Sequence, residues 1–312
     1  MPKHPALTRR QWLAATSAVL LAGCRSTMPA IAPAATPPPV APTTPPRPPR
    51  IGLALGGGAA RGFAHIGVIK VLEAQGLVPE VVVGTSAGSV VGALYAAGLS
   101  GFDLQRLALQ MDEATIADWS LPSRGVLRGE ALQNFVNKAV DNRPIERLPR
   151  RLAITATDLQ SGELVLFERG NTGQAVRASS CVPAVFQPVL INGREYVDGG
   201  LASPVPARAA RRLGADVVIA VDISSKPALQ TVTGSFDVLL QTFAIMGQAI
   251  AALELQDADV VIRPALATRG TDFAARNLAI LEGEAAATGQ LKRIQEAVER
   301  ARSRLTVAPT RP

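Results

Sequence analysis

Val81-Val82-Val83-Gly84-Thr85-Ser86-Ala87-Gly88 decides the fold. Three consecutive β-branched apolar residues read as a strand buried on both faces. The run stops at Gly-x-Ser-x-Gly, and Ser89–Ala97 then reads as a helix closed by Gly98. A serine at such a strand–turn–helix junction sits in a strained turn. Its hydroxyl is lifted above the sheet edge, at the positive end of the helix that follows. Ser86 is therefore a candidate nucleophile, with Gly84, Thr85, Ala87 and Gly88 forming its elbow.

Outward from this point the pattern repeats. Ile51–Leu55 reads as a buried first strand, followed by a glycine loop and a helix from Ala64 to Ala74 that stops at Gly76. Beyond the elbow, Phe102–Val140 reads as two or three helices broken by Leu121-Pro122-Ser123-Arg124-Gly125. Strands follow at Arg151–Asp158 and Glu163–Phe167. After a mixed stretch come Val189–Ile191 and Glu195–Val197, joined across Asn192-Gly193. Helix Ala207–Leu213, strand Val217–Val221, helix Val238–Leu255, strand Asp259–Arg263 and helix Glu282–Leu305 complete the chain. Alternating strands and helices predict one α/β domain over residues 51–305, with a mainly parallel central sheet, helices on both faces and a short tail at 306–312.

A nucleophilic serine needs a base and a place for the oxyanion. Gly56-Gly57-Gly58-Ala59-Ala60-Arg61-Gly62 follows the first strand and precedes a helix, where backbone N–H groups can converge on one point. A dinucleotide loop requires Gly-x-Gly-x-x-Gly. Counting from Gly56 the sixth position is Arg61, and counting from Gly57 the third is Ala59. A P-loop fails because no Gly-Lys-Ser/Thr follows. For the base, His65 lies in the first turn of a helix with apolar neighbours Val68 and Ile69, and reads as a packing residue. Asp198, in Tyr196-Val197-Asp198-Gly199-Gly200, ends a strand beside two glycines that permit close approach of another loop. The same Asp-Gly-Gly also makes a good turn, so the residues alone leave its role open.

Composition narrows the classes. The chain has 312 residues, is 47% hydrophobic and carries a formal charge of +7. Setting aside Lys3, Arg9 and Arg10 leaves 29 basic against 25 acidic residues, and aromatic residues are only 4%. Scattered charge without stacking side chains excludes nucleic acid as an expected partner. Residues 1–23 read as an export signal: a basic start, an apolar run from Trp12 to Ala22 too short to span a bilayer, then Leu21-Ala22-Gly23-Cys24. That tetrad resembles the bacterial lipobox, with Cys24 the lipidated residue. Thr8-Arg9-Arg10-Gln11-Trp12-Leu13 resembles the twin-arginine signal, and an ordinary cleaved signal is the alternative. Arg25 rather than aspartate after the cysteine favours the periplasmic face of the outer membrane. The proline-rich stretch to Arg50 reads as an extended tether of roughly 60 Å, or else as a ligand for a proline-binding module. With Cys24 lipidated, Cys181 would be the sole thiol and no internal disulfide could form.

Taken together, Gly56–Gly62 with Arg61, Gly84–Gly88 around Ser86, Ala178-Ser179-Ser180-Cys181-Val182-Pro183-Ala184-Val185-Phe186-Gln187-Pro188 and Asp198-Gly199-Gly200 resemble, in order and spacing, the patatin-like phospholipases. The resemblance covers Ile51 to Asp222. It implies a three-layer patatin-like fold and a Ser–Asp dyad without histidine, Ser86 as nucleophile and Asp198 as base. It further implies an oxyanion hole from Gly57, Gly58 and Ala59, supported by Gly56, Arg61, Gly62, Gly199 and Gly200. The family's third loop glycine is Ala59 here, so the geometry of the hole is where this chain departs. No metal or other cofactor is expected. The implied substrate is a lipid or phospholipid ester, and the implied membrane contact is through Cys24. A thioesterase or peptidase on the same dyad, and a non-catalytic tethered lipoprotein, are the alternatives.

Overall fold

The computed structural model describes residues 47–111, 128–224, 234–266 and 273–306. The leader, Cys24, most of the tether, the Leu121–Gly125 break and the tail from 307 lie outside the described residues.

One eight-stranded sheet organises the chain. Its strands are β1 (Ile51–Leu55), β2 (Val81–Gly84), β3 (Arg151–Asp158), β4 (Leu164–Phe167), β5 (Val189–Ile191), β6 (Arg194–Asp198), β7 (Val217–Val221) and β8 (Val260–Ile262). The pairings β1–β2, β1–β7, β2–β3 and β7–β8 are parallel, whereas β3–β4, β3–β6 and β5–β6 are antiparallel. The expected mainly parallel sheet is thus present, with an antiparallel margin at one side. The described α-helices are α1 (Ala64–Ala74), α2 (Ala87–Ala96), α3 (Gly101–Gln110), α4 (Glu130–Ala139), α5 (Thr172–Ser179), α6 (Ala207–Arg212), α7 (Ser235–Glu254), α8 (Arg276–Thr288) and α9 (Leu291–Thr306).

Side-chain alternation along the central strands creates two cores and hence three layers. Leu53, Leu55, Val82, Ile154, Ile219 and Val221 pack with residues of α1, α2, α8 and α9. Ala54, Val81, Val83, Ala153, Val218 and Ala220 turn the other way, onto α6 and Ala251 of α7. The second layer is built on small residues, which lets α6 lie close to the sheet. Two expectations need correcting. The stretch Glu282–Leu305 is not one helix: Gly289 and Gln290 interrupt it between α8 and α9. The mixed stretch after β4 contains α5, whose N-terminus is capped by Asn171 Oδ1 accepting from Gln174 N at 2.7 Å.

Strand β3 positions the site. Ile154 pairs with both Gly84 and Phe167, and Ala156 with both Val165 and Asp198. A strand residue has one partner per edge, so β4 lines one edge of β3 while β2 and β6 lie end to end along the other. Because β6 runs against β2, their C-terminal ends face each other. Ser86 follows β2 by two residues and Asp198 is the last residue of β6.

Candidate active site

At this junction Ser86 Oγ donates to Asp198 Oδ2 at 2.8 Å. The elbow around Ser86 is strained as its sequence implies. Ser86 has φ 51° and ψ −120°, a region that L-residues rarely occupy. The strain is held by close packing: a Cβ on Gly84 would lie 2.4 Å from the Gly88 carbonyl oxygen, and one on Gly88 would lie 2.1 Å from the Leu55 carbonyl oxygen. Hydrogen bonds fix the rest. Thr85 Oγ1 donates to the Ser203 carbonyl at 2.7 Å and accepts from Thr155 Oγ1 at 2.7 Å. Ser86 N–H donates to Ser179 Oγ at 2.8 Å, and Ser89 Oγ donates back to the Ser86 carbonyl at 2.6 Å. Ala87 begins α2, and Gly62 packs directly on its side chain.

Asp198 is buried. Desolvation pushes its carboxyl group up to about 6, partly offset by hydrogen bonds from Gly200 N and Ser86 Oγ. Gly200 N donates to Oδ1 at 2.7 Å, leaving Oδ2 directed to the serine. The backbone is fixed on both sides, by Asp198 N donating to the Cys181 carbonyl and Thr157 Oγ1 donating to the Asp198 carbonyl. Gly199 passes so close to Thr155 that a Cβ would lie 2.2 Å from its hydroxyl.

The glycine loop lies over the pair. Gly57, Gly58, Ala59 and Arg61 line a cavity of about 350 Å³ together with Ser86 and Asp198. One expectation changes here. Gly57 N–H donates to the Pro204 carbonyl at 3.0 Å, as Gly56 N–H does to Val221, so Gly57 has no N–H left for an oxyanion. Gly58 and Ala59 N–H bond to nothing among the described residues and remain as donors. Gly57 instead supplies room, since a Cβ there would sit 3.3 Å from Ser86 Cβ. Ala59 has φ 50°, so the alanine occupies the left-handed geometry that its glycine equivalent would adopt without cost. Arg61 Nε donates to the Gly58 carbonyl at 3.3 Å, which ties its side chain to the glycine loop.

His65 takes no part in the pair. It is fully buried, and its Nε2 donates to the Gly56 carbonyl at 2.8 Å, which requires a proton on that nitrogen. Burial lowers its pKa to about 4. Cys181 is a buried free thiol whose Sγ donates to the Gln187 carbonyl. Sequence reasoning missed Thr155, Ser203 and Glu254, and named Ser179 only within the Ala178–Pro188 stretch, without a role. The buried Glu254 accepts from Ser203 Oγ at 2.5 Å and from Val205 N at 3.2 Å. It thereby holds the Ser203–Val205 segment, whose carbonyls anchor Thr85 and Gly57. Among the described residues no cluster of His, Cys, Asp and Glu could hold a metal ion.

An α/β sheet with a serine–carboxylate pair at a strand–turn–helix elbow, beneath a glycine loop with free N–H groups, defines a hydrolase-type serine site. The chain belongs to the patatin-like phospholipase family, whose model matches residues 53–211, half of the chain. It is similar to an uncharacterised NTE family protein of Mycobacterium tuberculosis, 39% identical over 183 residues that make up 58% of this chain and 51% of that protein. It is also similar to lysophospholipase NTE1 of Coccidioides immitis, 33% identical over 181 residues, 56% of this chain and 12% of that protein. Among solved structures it aligns with VipD from Legionella pneumophila at 16% identity and a TM-score of 0.48, covering 80% of this chain and 68% of that one. The chain thus spans about half the length of its mycobacterial relative and a small part of the fungal one.

Proposed function

We propose that this protein hydrolyses acyl esters of lipids, of the phospholipase A or lysophospholipase kind. The observation that carries the reading is the 2.8 Å hydrogen bond from Ser86 Oγ to a buried Asp198 whose carboxyl group is pushed up to about 6. A carboxylate of ordinary pKa is a feeble base for a hydroxyl, and burial strengthens it. In this mechanism Ser86 Oγ attacks the ester carbonyl while its proton passes to Asp198 Oδ2. The tetrahedral oxyanion accepts hydrogen bonds from Gly58 and Ala59 N–H, each of the order of 3 kcal/mol in the transition state. The C–O bond to the alcohol breaks as Asp198 returns the proton to the leaving oxygen. Water then adds to the acyl-serine, deprotonated by the same carboxylate, and releases the fatty acid.

Lipid as substrate rests on family membership, on the lysophospholipase among the relatives and on the apolar wall that Val185, Phe186, Leu240, Phe243 and Phe273 give the cavity. We further propose that the protein is exported and anchored in the bacterial envelope by lipid on Cys24, as its lipobox-like tetrad implies. The chemistry is tested by fluorophosphonate labelling and by turnover of a phospholipid and a lysophospholipid. Ser86→Ala is expected to abolish both labelling and turnover without altering the circular dichroism spectrum. Undiminished turnover would remove Ser86 from the mechanism, and labelling without lipid turnover would redirect the same dyad to another acyl substrate.

A further inference from the structure

Helix α7 is apolar on both of its faces, and only one of them is covered. Leu240, Phe243, Ala244 and Gly247 line the cavity that holds Ser86. Roughly opposite, at the three- and four-residue spacing of a single face, stand Val238, Thr242, Ile245, Met246, Ala249, Ala252 and Leu253, all exposed. The four large ones, Val238, Ile245, Met246 and Leu253, are each between 51% and 60% exposed. From Val238 to Leu253 the helix carries no charged residue. Only Ala251 and Glu254 of its residues with described side chains are buried. An uncharged, largely apolar helix of this length belongs in a core or in lipid, and the outer face of this one is in neither.

We propose that the outer face of α7 docks on the surface of a lipid bilayer, lying in the interface beside the active-site cavity. The proposal rests on the lipid-esterase reading and extends it to where the enzyme works. The chemistry of the face selects lipid over protein. A protein interface of this size would need several hydrogen-bonding groups. The strip carries one hydroxyl, Thr242, which already donates to the Val238 carbonyl of its own helix at 2.8 Å, and the exposed amide of Gln248 lines the cavity rather than the strip. Hydrocarbon asks for no such partners. Although Asp237–Asp257 is long and apolar enough to cross a bilayer, α7 cannot span one in this fold. Its C-terminal end is tied by Glu254 to Ser203 and Val205, and its inner face walls the cavity. An interfacial helix with its outer face in the headgroup–acyl boundary satisfies both constraints. The bilayer then lies about one helix diameter, roughly 10 Å, from the cavity. Helix α7 falls outside residues 53–211 that match the family model.

The test places an environment-sensitive fluorophore at Ile245→Cys in the full chain carrying Cys24→Ser. Cys181 should stay unlabelled, being buried with its thiol pushed up to about 12. The probe is read with vesicles of phosphatidylethanolamine and phosphatidylglycerol containing brominated phosphatidylcholine, against the same probe at Ser303→Cys on α9. The expected result is a blue shift and bromine quenching at position 245 and neither at 303. No change at 245 overturns the proposal. So does a blue shift before vesicles are added: one that grows with protein concentration assigns the face to a second copy, and one that does not assigns it to another segment of this chain. Because the readout needs no turnover, it stands whether or not the esterase reading does. In the active enzyme, Ile245→Asp with Met246→Asp is expected to cut vesicle hydrolysis about tenfold or more while leaving a dissolved short-chain ester unaffected. Equal loss on both substrates would also overturn it.

Discussion

Replacing Asp198 by asparagine removes a charge that the fold holds at a cost. The carboxyl group, ordinarily near 3.8, is pushed to about 6 by burial. At pH 8 that difference of roughly two pH units amounts to about 3 kcal/mol of lost stability. The sign follows from proton binding. Between pH 4 and 6 the folded protein keeps this proton and the unfolded chain has released it, so stability falls as pH rises through that window. Asparagine escapes the penalty. Its side-chain oxygen still accepts from Gly200 N, and its amide stands opposite Ser86 Oγ. Urea unfolding followed by circular dichroism should therefore show Asp198→Asn about equal to wild type near pH 4 and up to about 3 kcal/mol more stable at pH 8. The same variant should lack ester turnover. In the wild type, kcat/KM should fall about tenfold per pH unit below about 6, where the base is protonated. A variant less stable than wild type at pH 8, or a difference that does not change with pH, would refute the claim that a desolvated carboxylate is the base.

His65 acts in the opposite sense over an overlapping window. Its ring is lowered by burial from 6.5 to about 4, so it contributes about 3 kcal/mol above pH 6.5 that is lost as pH falls toward 4. In the wild type this offsets the gain at Asp198. His65→Gln, which can still donate to the Gly56 carbonyl, should flatten the acid limb of the stability curve and retain most of the turnover; a loss matching Ser86→Ala would place histidine back in the mechanism. Ala59→Gly should relieve the left-handed strain at φ 50° and stabilise the fold by up to about 1 kcal/mol in thermal unfolding, with turnover kept or raised. Lower stability would mean that the Ala59 methyl makes a contact outweighing its backbone cost.

Much of the sheet was legible because its strands are short apolar runs punctuated by glycine and proline. Ile51–Leu55, Arg151–Asp158 and Val217–Val221 lie where periodicity puts them. Ser86 and Asp198 could be singled out because each sits where a strand stops and glycine begins. The occupancy of Gly57 could not, since its partner is Pro204, far along the chain, and only tertiary folding brings that carbonyl to the loop. Helix α5 is small and polar, so its hydrophobic signal is weak, although Asn171 followed three residues later by Gln174 is a readable cap. The apolar composition of α7 foretold a helix correctly. It gave no sign of the half-exposed face, because periodicity cannot distinguish a core from a bilayer.

Two strand tips abutting along one edge of β3 turn that strand into a ruler. The gap between hydroxyl and carboxylate is set by the two-residue step from Ile154 to Ala156, a rise of about 7 Å, before any rotamer is chosen. A single inserted residue between those two positions would separate the partners and also turn the tip of β6 over, so this short span of backbone tolerates less variation than many of the side chains that it aligns.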